Sequence, residues 1–341
     1  VARATTEKET MKICYFDRFT GNNSNYLWLK SFRKTGDVLN FDISKLRHSK
    51  IRCVKKEMLL FSPTHIHFGG SAKSCRSVPK AFVIWVRQTF PNSRITFFYG
   101  DAYYNEYHAS IVEYVDKVYT TNKSCLTSSK FEFMICPSDP EVYRPTTQIK
   151  KYDLIFIGDN THLGRKQKIQ WIADQYNMDV YGKGWKDVVG QSWKGVLDLS
   201  RYSETLTQYK IALSDCSGEL CQYTHIEGRC QLKHDDFYQS PRCQNQKCPY
   251  FQSLSAYFSN REINTLMCGV MCLTPFKKGM DTIFQNRQHV VWYKDENEMC
   301  GLIDHYLEHE IERENIAQQG QEFVLSHYTF EKSARKILGE S

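Results

Sequence analysis

The sequence predicts an α/β protein built from two Rossmann-like domains facing a cleft. Three observations carry that expectation. Short apolar runs alternate with helical patterns through the first half of the chain, and the same rhythm starts again near residue 150. Several runs stop abruptly at glycine and a polar residue, as strands do at a ligand-binding edge. The 341 residues, 41% hydrophobic and 24% charged, suit two ordinary domains, each with its own core.

The first half opens with MKICYFD (11–17), a strand ending at Asp17. Gly21-Asn22-Asn23-Ser24 supplies a turn and an N-cap before a helical pattern on Tyr26, Leu27, Leu29 and Phe32. VLNFDIS (38–44) and HIHFGGS (65–71) read as further strands, the second closed by Gly69-Gly70. AFVIWVRQTF is helical, and RITFFYGDA (94–102) is an apolar strand stopped at Gly100-Asp101. DKVYTTNKS and KFEFMICPSDPEVYRP complete the half, with a proline-containing joint over 137–145.

The second half repeats the pattern. KYDLIFIGDN (151–160) is a strand, RKQKIQWIADQY a helix, and MDVYGKGW (178–185) a strand closed by a glycine turn. A helix and strand follow over 202–218, then a helix–strand pair in FSNREINTLMCGVMCLTPF. HVVWYKD (289–295) is another strand, and 296–338 is mostly helical. The expected division is a leader, tag remnant or disordered arm over 1–10, an amino-terminal domain over 11–147 and a carboxy-terminal domain over 148–321. The last helix, about 322–341, is expected to pack back on the first domain.

No run approaches the ~20 apolar residues of a bilayer span, and the polar opening VARATTEKET has no signal-peptide character, so the expected location is the cytoplasm, that of a host if the protein is viral. The net charge of +7 suits an anionic ligand or polymer. Thirteen cysteines is a high count. Eight are scattered, mostly in apolar segments, and read as small buried hydrophobes. Five crowd into 216–248. There Cys221, Cys230, Cys243 and Cys248 offer a tetrahedral thiolate set for a structural zinc, with Cys216, His225 and His234 as alternate ligands. Their spacing lacks tight C-x2-C pairs, so disulfides or free thiols are the other readings.

The order D-L-I-F-I-G, a following Arg, V-Y-G-K-G-W, then R-x-x-N-x-x-M-C-G-V, L-T and G-M-D-T-I-F resembles the donor-binding half of GT-B glycosyltransferases. The CgeB-like group is the closest match, supported by the tail over 303–330, and the plan is similar to that of phage DNA glucosyltransferases. The resemblance covers about 150–338 well; the amino half matches by its rhythm and by Asp101. Against that family pattern, 216–250 looks like an insert.

The resemblance implies transfer of a sugar from a nucleotide-diphosphate sugar, UDP favoured, with no catalytic metal. Arg165 and Arg261 are the expected phosphate ligands, with Gly182, Lys183, Gly279, Met280 and Asp281 lining the donor. Each glycine reads equally well as a simple turn. Asn264 stands where relatives carry a ribose-binding Glu, and Glu262, about 200° away around a helix, does not simply replace it. The glutamate pair of retaining relatives is absent, Ala256 and Asn264 standing there, which favours inversion. Asp101 is the expected base, or a helix cap; Asp17, Asn22, His67, Tyr103 and His108 are acceptor-side candidates. The expected acceptor is a hydroxymethylated base in double-stranded DNA. The alternatives are a cell-envelope or capsule glycan, or a non-catalytic nucleotide-sugar or nucleic-acid binding protein on the same fold.

Overall fold

A computed structural model describes residues 10–19, 23–46, 50–69, 78–100, 110–123, 126, 128–160, 165–214, 219–221, 251–253 and 258–340. The chain divides into two compact units. One comprises 1–121, 125–134 and 330–341; the other comprises 122–124 and 135–329. The boundary at Met134–Ile135 lies earlier than the sequence suggests, because the last strand of the first sheet ends at Phe133.

Among the described residues the first unit holds six parallel strands in the order β2-β1-β3-β4-β5-β6. They are β1 (Met11–Asp17), β2 (Gly36–Asp42), β3 (His65–Phe68), β4 (Arg94–Tyr99), β5 (Lys117–Thr120) and β6 (Phe131–Phe133). The inner strands β1, β3, β4 and β5 are buried almost throughout because helices cover both faces of a parallel sheet, whereas the edge strands β2 and β6 are only partly buried. Helices α1 (Asn23–Arg33), α2 (Ile51–Phe61) and α3 (Lys80–Thr89) are the crossovers. A core of Cys14, Phe16, Ile66, Phe68, Val83 and Phe97 lies on one side. On the other, Trp28 of α1 meets Phe330 edge-on at 5.1 Å. Cys53 departs from the buried-hydrophobe reading and is exposed on α2.

Among the described residues the main sheet of the second unit has five parallel strands in the order β13-β12-β9-β7-β8. They are β7 (Tyr152–Ile157), β8 (Met178–Tyr181), β9 (Tyr209–Leu213), β12 (Met271–Pro275) and β13 (Val291–Tyr293). Its helices are α4 (Arg165–Gln175), α5 (Lys186–Val189), α6 (Tyr202–Leu206), α7 (Asn260–Met267), α8 (Glu296–Glu308) and α9 (Glu310–His327). Leu154, Phe156, Ile211, Leu273 and Val291 form the strand side of its core, with Ile169, Ile303 and Ile316 from the helices. A short antiparallel pair, β10 (Glu219–Cys221) with β11 (Phe251–Ser253), brackets the cysteine-rich segment. No helix among the described residues is long and apolar enough to cross a membrane.

The last helix, α10 (Phe330–Leu338), belongs to the first unit. Its terminal carbonyls are received there: His65 Nε2 lies 3.0 Å from the Leu338 oxygen and Arg94 Nε donates to that of Ile337 at 2.9 Å. Basic side chains at a helix carboxyl end satisfy groups the helix itself leaves open.

Both sheets run outward from their first strand and then reverse, so each has a switch point. In the first unit it lies between β1 and β3, in the second between β7 and β9. Open parallel sheets bind ligands outside the strand carboxyl ends at such points.

Candidate active site

In the second unit, the turn after β7 and the turn after β8 are tied together. Gly158 N donates to the Tyr181 oxygen at 2.8 Å, and Asn160 N to that of Lys183 at 2.9 Å. The Asp159 carboxylate accepts from Lys183 N at 2.8 Å, and Trp185 Nε1 donates to the Gly158 oxygen at 2.6 Å. The approach is close enough to require glycine. A Cβ on Gly182, whose φ is 140°, would overlap the Gly158 carbonyl. A Cβ on Gly158 would sit 2.6 Å from Arg261 Nη2. Lys183 is exposed at this edge.

Arg165 opens α4, but its side chain is only 2% exposed. Nη1 donates to the Asp159 oxygen at 2.8 Å, and the guanidinium lies 5.7 Å from the Phe156 ring centroid. The solvated-face alternative for this residue is therefore excluded; Arg165 supports the β7 turn from inside.

Arg261 stands across the same ring, 5.4 Å from the Phe156 centroid. It lies in the first turn of α7, where Ser259 caps the helix by accepting from Arg261 N at 3.2 Å. Its Nε donates to the Ile157 oxygen at 2.6 Å, which fixes the guanidinium at the end of β7. It is partly exposed. A cation at a helix amino terminus opposes the macrodipole, and an anion placed there favours both.

Glu262 is the residue whose position the sequence conceals. It is 1% exposed, with Oε1 accepting from Ser214 Oγ at 2.8 Å and from Lys277 Nζ, and Oε2 from Ser259 Oγ at 2.9 Å. Burial pushes its carboxyl up, but the charge and hydrogen bond of Lys277, with Arg261 and Ser214, outweigh burial and hold it below the usual range. The group thus links the end of β9, the α7 cap and the end of β12. The pattern Ser259-x-x-Glu262 has capping-box spacing, the one sequence signal that marks it.

Asn264 is buried and hydrogen-bonded to the Tyr143 phenol, whose pKa burial raises. Gly279, in a left-handed conformation at φ 82°, opens the turn after β12; Met280 is buried and Asp281 exposed. Lys123 holds this turn, donating to the Gly279 oxygen at 2.9 Å and to Thr282 Oγ1 at 2.6 Å. It shares the Phe258 ring with Lys277, the two ammonium groups lying 5.9 and 5.6 Å from its centroid. Nothing in the sequence pairs residues 123 and 279.

In the first unit, Asp17 ends β1 at the switch point. Burial pushes its carboxyl up to about 6, against the Tyr15 hydroxyl at 2.5 Å and Arg18 N at 2.6 Å, with Asp42 adding to the rise. His67, 1% exposed, is a core histidine. Its Nδ1 lies 2.8 Å from Thr96 Oγ1, its ring stacks on Tyr15 at 5.9 Å, and burial pushes its pKa down to about 3. Enclosed among Tyr15, Trp28 and Phe32, it is held neutral by burial. Asn22, Asp101, Tyr103 and His108 lie outside the described residues. So do Cys216, His225, Cys230, His234, Cys243 and Cys248, while Cys221 is described by its backbone in β10. No metal-binding cluster occurs among the described residues.

Comparison with known proteins agrees with this architecture. Over essentially its whole length the chain is similar in structure to sucrose-phosphate synthase of Thermosynechococcus elongatus. The TM-score is 0.65 at 11% identity, with 96% of this chain and 97% of the other covered. HepE of Anabaena, solved with UDP and glucose, matches with a TM-score of 0.62 at 9% identity, covering 97% and 100%. A glycosyltransferase of Rickettsia africae matches with a TM-score of 0.60 at 8% identity, covering 98% and 100%. No curated protein sequence matches the chain. These likenesses establish the GT-B type of fold. Residues 165–339, just over half of the chain, match the profile of the family described as glycosyl transferase-like, and the chain belongs to that family: it is a glycosyltransferase.

Proposed function

We propose that the protein transfers a sugar from a nucleotide-diphosphate sugar, with UDP as the nucleotide, to an acceptor hydroxyl with inversion. The observation that carries the donor reading is the placement of Arg261. Its guanidinium is fixed by the Ile157 carbonyl at the β7 end, at the amino terminus of α7, beside the β7/β9 switch point. HepE, which shares the fold, has been solved with UDP and with UDP-glucose. Arg261 and the α7 amino terminus would receive the diphosphate, with the backbone of Gly279 and Met280 and the exposed Lys183 and Asp281 around it. Arg165 would act by supporting the β7 turn, and Asn264, engaged by Tyr143, sets the helix rather than gripping a ribose.

In an inverting transfer, a base takes the acceptor hydroxyl proton as that oxygen bonds to the anomeric carbon. The nucleotide diphosphate leaves with the electrons of the broken bond, and cations at its phosphates lower the barrier. Asp101 is the proposed base from its place after β4. Asp17 is the second candidate, and burial supports it by placing its titration near working pH. The proposed acceptor is a hydroxymethylated base in duplex DNA, in line with the CgeB-like and phage-type resemblance. Cys221, Cys230, Cys243 and Cys248 are proposed to hold a structural zinc. Metal analysis of purified protein should find about one zinc per chain, the capacity of one tetrahedral thiolate set; a folded, metal-free protein rejects that part.

A calorimetric panel of nucleoside diphosphates and their sugars tests the donor reading. UDP should bind, and Arg261→Ala should raise its Kd at least about tenfold, the loss of one charge-assisted contact. Unchanged binding in the variant would place the donor elsewhere.

A further inference from the structure

Glu262 puts a negative charge inside a region proposed to receive a polyanion, and stability does not account for it. A buried ion pair returns in attraction roughly what it loses in desolvation, and apolar side chains of the same volume serve a core equally well. The geometry nevertheless invests three donors in this carboxylate: Ser214 at 2.8 Å, Ser259 at 2.9 Å and Lys277. Both charged side chains are almost fully buried, 3% exposed for Lys277 and 2% for Glu262. Arg261, the next residue along the α7 turn, also acts electrostatically on Glu262. The group therefore pairs directly with Lys277 and also feels the charge of Arg261, at the junction of β9, α7 and β12.

Resting on the donor reading above, we propose that Glu262 is a charge-tuning residue of the diphosphate site. It offsets the Lys277 charge and so sets how tightly the site holds a nucleoside diphosphate. A site gripping through Arg261, Lys277 and a helix amino terminus without a counter-charge would retain the product nucleotide, and release limits turnover in many transferases. Pairing Lys277 with a fixed internal carboxylate leaves the site attractive to phosphate while weakening its hold on the leaving group. Glu262 positions and tunes; it does not touch the reacting atoms.

The two halves of the pair then act with opposite sign, which a purely structural pair would not do. Full-length Glu262→Gln keeps the shape and one acceptor for Lys277. It should bind UDP more tightly, on the order of threefold at low salt, with a slower off-rate, and the gain should shrink as salt screens it. Lys277→Met leaves the carboxylate without its ion-pair partner and should weaken UDP about tenfold or more. Uridine, which lacks phosphate, should change less than about twofold in either variant. The double variant Glu262→Gln/Lys277→Met leaves no buried charge alone, and should fold and bind UDP within about threefold of the parent. Weaker UDP binding in Glu262→Gln, a parallel shift in uridine, or a double variant weakened more than about tenfold overturns the proposal. If the parent protein binds no nucleoside diphosphate, the donor reading itself falls, and this inference with it. Parent binding with the wrong sign in Glu262→Gln removes this inference alone.

Discussion

Asp17 carries its charge against its surroundings. Its carboxyl titrates at about 6 in the folded chain against an ordinary 3.8, because burial outweighs the Tyr15 and Arg18 hydrogen bonds. The folded state therefore binds the proton more tightly than the unfolded chain. Stability from this group is fully present below pH 3.8, is lost as pH rises toward 6, and stays lost above it. Roughly two pKa units correspond to at most about 3 kcal/mol. Asp17→Asn keeps an acceptor for Arg18 N–H and removes the titration. It should match the parent in urea unfolding at pH 4 and exceed it by about 1–3 kcal/mol at pH 7.5. Equal stability at both pH values would show that the carboxylate is solvated or compensated in the native state. The carboxylate lies at a strand carboxyl end beside the close-packed Gly69, the setting from which it is proposed as a second candidate base.

At the scale of elements, the first turn of α7 carries Arg261 and Glu262, the groups proposed for the donor site, and its cap is the joint that holds them. Ser259 accepts from Arg261 N and donates to Glu262, so Ser259→Ala removes a helix cap and one ligand of a buried carboxylate together. We expect a loss of about 1–3 kcal/mol in denaturant unfolding, with UDP affinity falling as the turn frays. A loss below about 0.5 kcal/mol would mean that solvent replaces the cap. The same turn shows where sequence reading succeeds and where it stops. Strands such as Tyr152–Ile157 and Met271–Pro275 were legible because a parallel strand buried on both faces must be apolar throughout. The position of Arg261 in the first turn of α7 was legible because Ser259 offers an N-cap directly before it. Glu262, two positions before Asn264, faces another side of the helix by the helical wheel and so does not stand in for a residue at 264. Its partners explain why its role is hidden: Ser214 and Lys277 lie 48 and 15 residues away, and only the Ser259 contact has a local spacing. Lys123 was invisible for another reason: 156 residues separate it from Gly279, and a lone lysine between two strands has no local signature.

At the scale of the whole molecule, each unit is a complete parallel sheet with its own core, yet the first is finished only by α10, more than 190 residues after β6. Its contacts with α1, Trp28 on Phe330 among them, tie the completion of the first unit to synthesis of the second. The net charge of +7 is the other property of the whole chain. A basic surface that holds duplex DNA does so largely by displacing counterions, so affinity falls steeply with salt, whereas a neutral glycan acceptor gives almost no such slope. Binding of a duplex carrying 5-hydroxymethylated pyrimidines, followed by fluorescence anisotropy, should weaken at least about tenfold between 50 and 200 mM salt. With UDP-sugar added, the same duplex should gain the mass of a hexose at the modified base, and an unmodified duplex should bind comparably without gaining it. Phosphate contacts position a duplex without reading its bases, so binding and transfer must separate in this way. A flat salt response, or sugar transfer to glycan hydroxyls with none to the modified duplex, would reject DNA as the acceptor while leaving the donor site untouched.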